Sequence, residues 1–164
     1  MTPVIVAGVF YLAVVALCLA RPHAGRLFVG VFFWVMALGV HGYFIIANPQ
    51  SYVDFAHSAY LALYRDLAGP LVELSPRGFG LLCLVFELAV GTLILGKGRA
   101  VRFGLLAGIA FLLAITPLGK EELINPLLAA GLASLLSQRY PRSLPELLRA
   151  RLGSRPGTRA PAEI

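Results

Sequence analysis

Apolar runs nearly free of charge, separated by more polar connections, dominate this chain. They extend from Pro3 to Ala20, Leu27 to Ala47, Gly78 to Gly96, Val101 to Pro117 and Leu123 to Ser137. Each approaches the roughly 20 residues that an α-helix needs to cross a bilayer, so the pattern predicts five spanning helices. The last run is the shortest. Its Asn125-Pro126 pair suits a first helical turn, where proline's missing N–H costs nothing, and local bilayer thinning accommodates a short span. The first run occupies the position of a signal peptide. Met1-Thr2-Pro3-Val4 supplies no basic region, however, and Leu17 before Cys18 is too large for a lipoprotein cleavage site, so a retained span is expected.

The segments between and after the spans carry their own periodicity. In the long connection from Asn48 to Arg77, Tyr52, Phe55, Ala59, Leu63 and Leu67 recur near helical spacing, while Asp54, Ser58 and Arg65 fall on another face. Tyr60 and Tyr64 add an aromatic belt, and the segment predicts one amphipathic helix in the outer headgroup region, serving as an anchor or as a lid over a pocket. Farther on, Ser143-Leu144-Pro145-Glu146 has capping-box spacing, Leu144, Leu147, Leu148 and Leu152 cluster on one face, and Gly153 marks a stop. This predicts a short basic helix that meets an anionic inner leaflet through Arg142, Arg149 and Arg151. Ser154 to Ile164, rich in Pro, Gly and Arg, is expected to be disordered. Residues 1–138 thus form a membrane bundle and 139–164 a basic cytoplasmic tail.

Composition narrows the function classes. With 59% hydrophobic and 13% charged residues and a mean hydropathy of +0.82, the chain is far more apolar than a soluble domain, and a large extramembrane catalytic domain is excluded. Two cysteines exclude a disulfide framework, a Cys₄ zinc site and a C-x-x-C redox motif. Cys18 and Cys83 also belong to opposite halves of the membrane and cannot pair. The net charge of +6 gains meaning from its distribution. Eleven of the fourteen basic residues (Arg21, Arg26, Lys97, Arg99, Arg102, Arg139, Arg142, Arg149, Arg151, Arg155 and Arg159) fall on one side of a five-span chain, and only Arg65, Arg77 and Lys120 on the other. The positive-inside rule then predicts a plasma-membrane protein with its N-terminus outside and its C-terminus in the cytoplasm. Anionic lipid, rather than nucleic acid, is the partner expected for this charge.

Inside the spans, Glu87 carries the one formal charge near mid-bilayer, where a carboxylate must be protonated, paired or hydrated. At about 1.5 Å per residue, Glu87 lies roughly 14 Å down its helix, His41 roughly 9 Å and Cys83 roughly 8 Å. Cys83 and Glu87, four residues apart, share a face. Asn125 and Thr116 belong to the same outer half, so these five residues are the candidates for a ligand-binding or proton-active patch. No metal site is expected. Haem ligation is disfavoured because His23 lies at the opposite side and leaves only His57 as a second axial histidine. The neighbouring Asp54, His57 and Ser58 are not read as a hydrolase triad, since proximity in sequence does not define one. Ala100, Gly104 and Gly108, at four-residue spacing, predict a close helix approach, within the bundle or in a homodimer.

From Arg26 to about Ser137 the chain resembles the DoxX-like family of small membrane proteins. The resemblance rests on Gly30-Val31-Phe32-Phe33 through Ala37-Leu38-Gly39, on Phe86-Glu87-Leu88-Ala89-Val90-Gly91-Thr92-Leu93-Ile94-Leu95-Gly96, and on the basic turn Lys97 to Arg102. Family members often carry a basic residue just after the position of Gly39; here His41 is nearest. The resemblance implies an all-α bundle in which a four-helix core has gained the first span. It also implies an association with quinone- or thiol-linked redox systems, in which an accessory subunit, not an enzyme on its own, contributes to a quinone pocket near Glu87 and His41. The alternatives are a non-enzymatic scaffold and a small transporter or lipid-binding protein with an outward-facing cavity.

Overall fold

The computed structural model describes residues 3–119 and 122–153, with side chains over 5–119 and 122–150. Where the helices begin and end follows from local chemistry. Helix α1 covers Pro3–Ala20 and α2 covers Pro22–Val35, started by proline in its first turn. The same helical rod continues through a π-helical stretch, Met36–His41, into α3, Gly42–Ala47. Helix α4 is Gln50–Ser58; a second π-helical stretch, Tyr64–Ala68, leads into α5, Gly69–Leu74. Helix α6, Pro76–Leu95, opens on Ser75, whose Oγ accepts from the Gly78 amide at 3.2 Å. Gly98, with φ of +60°, makes the left-handed turn into α7, Arg99–Ile115. After 3₁₀ turns at Thr116–Leu118 and Glu122–Ile124 come α8, Asn125–Leu135, and α9, Leu144–Gly153. No strand occurs among the described residues.

Five helices close into a ring: α1 packs on α2, α2 on α6, α6 on α7, α7 on α8, and α8 back on α1. Three helical rods are long and apolar enough to cross a membrane, Pro22–Ala47, Pro76–Leu95 and Arg99–Leu118, and they mark the chain as a membrane protein. The other two apolar helices of the ring, Ile5–Ala20 and Glu122–Leu135, are shorter. The ring's outer surface is apolar, with Leu82, Phe103 and Val9 more than 60% exposed, as lipid contact requires. Its core joins Val29, Phe33, Val90, Ile94, Leu105 and Leu132.

Close approach in this ring depends on small residues. A methyl group at Gly104 would lie 2.8 Å from the Ile94 amide nitrogen, and one at Gly91 would lie 2.7 Å from the Gly30 carbonyl oxygen. Gly108 faces Leu132 and Phe33, so the Gly104 and Gly108 face predicted from spacing is occupied inside this chain; Ala100 packs at the Gly96 turn.

One expectation is revised. The connection after α3 is not one amphipathic helix: Ala59 takes an extended conformation (ψ 138°) and ends α4, because Tyr52, Val53 and Ala56 bury themselves against Val72, Phe44 and Phe79 in a small core of their own. The last apolar run yields a 3₁₀ turn and an eleven-residue α-helix, about 16 Å long at 1.5 Å per residue. Arg26, counted among the basic residues of the inner side, is 1% exposed. Its guanidinium donates to the Gly96 carbonyl at 2.8 Å and the Arg142 carbonyl at 3.1 Å and lies 4.7 Å from the centre of the Tyr140 ring, clasping three separate segments.

The C-terminal helix keeps half of its predicted capping box, the Ser143 amide donating to Glu146 Oε2 at 2.9 Å. Lys97 binds the other Glu146 oxygen at 2.5 Å. These partners, Lys97 first, hold the Glu146 carboxyl down at about 2. Arg142 and Arg149 are exposed. The side chain of Arg151 and the segment 154–164 lie outside the described residues.

Candidate functional site

Opposite the arginine-rich end, the ring encloses a cavity of about 290 Å³. Helix α6 contributes Phe79, Cys83 and Glu87 at successive four-residue steps, hence from one face. The rod beginning with α2 contributes Phe32, Met36 and His41, α4 contributes Tyr52 and Phe55, and α7 contributes Phe111. The walls are therefore mainly apolar and rich in aromatic rings, with a few polar groups, the usual make-up of a small-molecule site.

Those polar groups form two clusters. In the first, His41 Nδ1 lies 2.8 Å from the Tyr52 hydroxyl, and the two rings stack with only 4° between their planes. His41 Nε2 lies 3.5 Å from Glu87 Oε2. Burial, then the nearby Cys83 and Glu87, push the Tyr52 phenol up to about 12, so the phenol keeps its proton. The imidazole tautomer sets which partner donates in the bond to Tyr52, and Nε2 faces Glu87. Glu87 is 4% exposed, and its Oε2 has no hydrogen-bond partner; the separation from His41 exceeds the usual 2.7–3.2 Å or so of such a bond. A buried, unsatisfied carboxylate oxygen on an apolar cavity wall is a costly arrangement that a polar ligand atom would relieve.

In the second cluster, the Tyr11 hydroxyl donates to Asn125 Oδ1 at 3.3 Å, and Asn125 Nδ2 donates to Glu122 Oε2 at 2.6 Å. All three residues line the same cavity. The fold thus brings His41, Cys83, Glu87 and Asn125 together. It does not bring Thr116, whose hydroxyl donates back to the Leu112 carbonyl at 2.7 Å, a common way for an intrahelical threonine to satisfy itself. Tyr52, Tyr11 and Glu122 are the members that the spacing arguments did not single out. The inward signal for Tyr52 was its place with Phe55 and Ala59 on one helical stripe.

The connection covers the cavity as a lid and is strapped to the end of α7. The Tyr64 hydroxyl donates to the Ala114 carbonyl at 2.7 Å and the Tyr60 amide to the Pro117 carbonyl at 2.8 Å. His57 pairs with Glu73 at 2.5 Å, joining α4 to α5, and the Ser58 hydroxyl donates to the Phe55 and Leu118 carbonyls. No activated serine results. Among the described residues, no group of three or more His, Cys, Asp or Glu side chains is placed to hold a metal ion.

Comparisons with family models, with curated proteins and with solved structures found no match. The likeness to the DoxX-like family therefore rests on the sequence motifs alone.

Proposed function

We propose that this is a DoxX-like membrane protein that acts as an accessory subunit of a redox system, binding a quinone-class ring in the aromatic cavity. The observation that carries the reading is the buried Glu87 Oε2, without a hydrogen-bond partner, on the wall of an apolar cavity beside His41. The residues present suit such a group. Phe32, Phe79 and Phe111 offer faces and edges to a flat ring, while Glu87 and His41 on one wall and Tyr11 and Asn125 on another offer hydrogen-bonding atoms to its oxygens. A bound quinone would supply two-electron, two-proton chemistry; the chain's own part is to orient the ring, exclude water and hold or release a proton at Glu87 and His41.

The reading includes a topology. All five ring helices span the plasma membrane, with the arginine-rich end in the cytoplasm, the cavity in the outer half and the lid outside. Reporter fusions after Arg99 and Arg142 are expected to register cytoplasm and one after Tyr64 the outside; a cytoplasmic signal after Tyr64 overturns it.

The test of the site is binding of a short-tailed benzoquinone to the purified protein across pH 5 to 9. Glu87→Gln keeps the shape of the side chain but cannot exchange a proton. It should leave thermal stability in detergent unchanged, weaken binding about tenfold (~1.4 kcal/mol) and flatten its pH dependence. Wild-type protein that fails to bind, or a variant that binds identically at every pH, refutes the proposal.

A further inference from the structure

At the end of the bundle opposite the aromatic cavity, the start of α7 and the chain leaving α8 form a second concavity, of about 320 Å³. Arg99, Arg102 and Arg139 line it together with Gln138, and among the described residues no acidic side chain does. None of the three arginines takes part in an ion pair among the described residues. Glu146, on the neighbouring α9, is already held by Lys97 and the Ser143 amide. Three uncompensated guanidinium groups in one cleft form a site for a multiply bonded oxyanion, because each presents a planar fork that matches phosphate.

The cleft is built into the fold. The Gly98 amide donates to the Tyr140 carbonyl at 2.9 Å, the Tyr140 hydroxyl donates to the Leu135 carbonyl at 3.0 Å, and buried Arg26 lies against the Tyr140 ring. These contacts fix the wall that carries Gln138 and Arg139 against the start of α7, whose first turn contains no acidic residue.

What lies beyond the arginines indicates the rest of the ligand. Arg99, Arg102, Phe103, Leu106, Ala110 and Leu113 share one face of α7. Phe103 is 65% exposed, Leu106 52% and Leu113 50%. The face runs from charge to bare hydrocarbon over about 21 Å at 1.5 Å per residue, enough to reach from a head group past the middle of a hydrocarbon core about 30 Å thick.

We propose that this cleft binds the phosphate of an anionic phospholipid whose acyl chains lie along the exposed face of α7. A soluble phosphate compound has the same head-group chemistry but makes no use of Phe103, Leu106 and Leu113. The test uses the full chain in detergent, with native mass spectrometry to count retained lipid. Wild type is expected to retain long-chain phosphatidylglycerol about tenfold better than phosphatidylcholine of the same chains. Combining Arg99→Gln, Arg102→Gln and Arg139→Gln should remove that preference, and Arg102→Gln alone should reduce it severalfold. Arg77→Gln, which changes an exposed arginine at the opposite end of the bundle, should preserve it, and equimolar glycerol 3-phosphate should not displace the lipid. Equal retention of the two lipids, a preference that survives the triple variant, or displacement by glycerol 3-phosphate overturns the proposal; the last outcome assigns the cleft to a soluble phosphate.

Discussion

The two ends of the helical ring solve opposite problems. At the arginine end, backbones meet through Gly30, Gly91 and Gly104, and the buried Arg26 ties α2 to the ends of α6 and the chain before α9. At the cavity end the rod after α2 loosens into a π-helical stretch, the connection breaks at Ala59, and bulky aromatics keep the helices apart. A methyl group added at Gly39 would meet nothing within 4 Å. One end is a clamp that fixes the splay of the ring, and the other is the space this splay leaves open. At the cavity end the close contact is of side chains on backbone, Tyr52 and Ile45 lying over Gly80, and the space beside it is lined by the polar groups. π-Helical stretches occur preferentially at such sites, since the wider turn redirects side chains without ending the helix.

The sharpest way to break the contrast is to release the clamp. Arg26→Met keeps length and apolar volume but leaves the Gly96 and Arg142 carbonyls without their charged donor. Hydrogen bonds to a charged group contribute about 1.5–3 kcal/mol each, so a loss of about 3 kcal/mol is expected, read as a fall in melting temperature in detergent. An unchanged melting temperature would remove Arg26 from the account of what holds the ring.

A pair of glycine substitutions compares a buried helix contact with an outward-facing position. Gly104→Leu forces side-chain atoms into the Ile94 and Leu93 backbone region, and overpacking of this kind costs about 1–3 kcal/mol. Gly39→Ala adds a methyl group in open space and removes backbone freedom from a helical position, which should be neutral or stabilising by up to about 1 kcal/mol. If both lower stability equally, the two positions do not differ in packing as described.

The smallest effect belongs to the Lys97–Glu146 pair, which docks α9 onto the arginine end. With the folded-state carboxyl held down at about 2, its contribution is present above the ordinary glutamate range near 4.3 or so and fades as pH falls toward 2. Both groups are largely solvent-facing, so the effect is modest and salt-sensitive. The stability difference between wild type and Glu146→Gln should therefore be full at pH 7 and shrink below about pH 4. A difference that persists undiminished at pH 2 would show that the docking of α9 does not depend on this ion pair.

The amino-acid sequence by itself determined the class, the rods and the charge asymmetry. A span is a local property of some twenty consecutive residues, and proline and glycine punctuate it locally too, which is why α1 begins and ends at the residues of its apolar run and why Pro22, Pro76 and Gly98 mark real boundaries. The polar candidates were legible for a similar reason: a carboxylate at mid-span stands out wherever its helix points. Which faces meet was a different question. In a soluble protein the polar face of a helix reveals the inward one, but a ring in lipid is apolar inside and out, so periodicity carries little information about rotation. Only the tertiary structure could turn His41 toward Glu87 through the π-helical stretch, fold Tyr52 inward beside it, and return Thr116 to its own backbone. Arg26 shows the same limit from the other side. Its charge counted toward one side of the membrane, and only three partners distant in sequence hold it buried there.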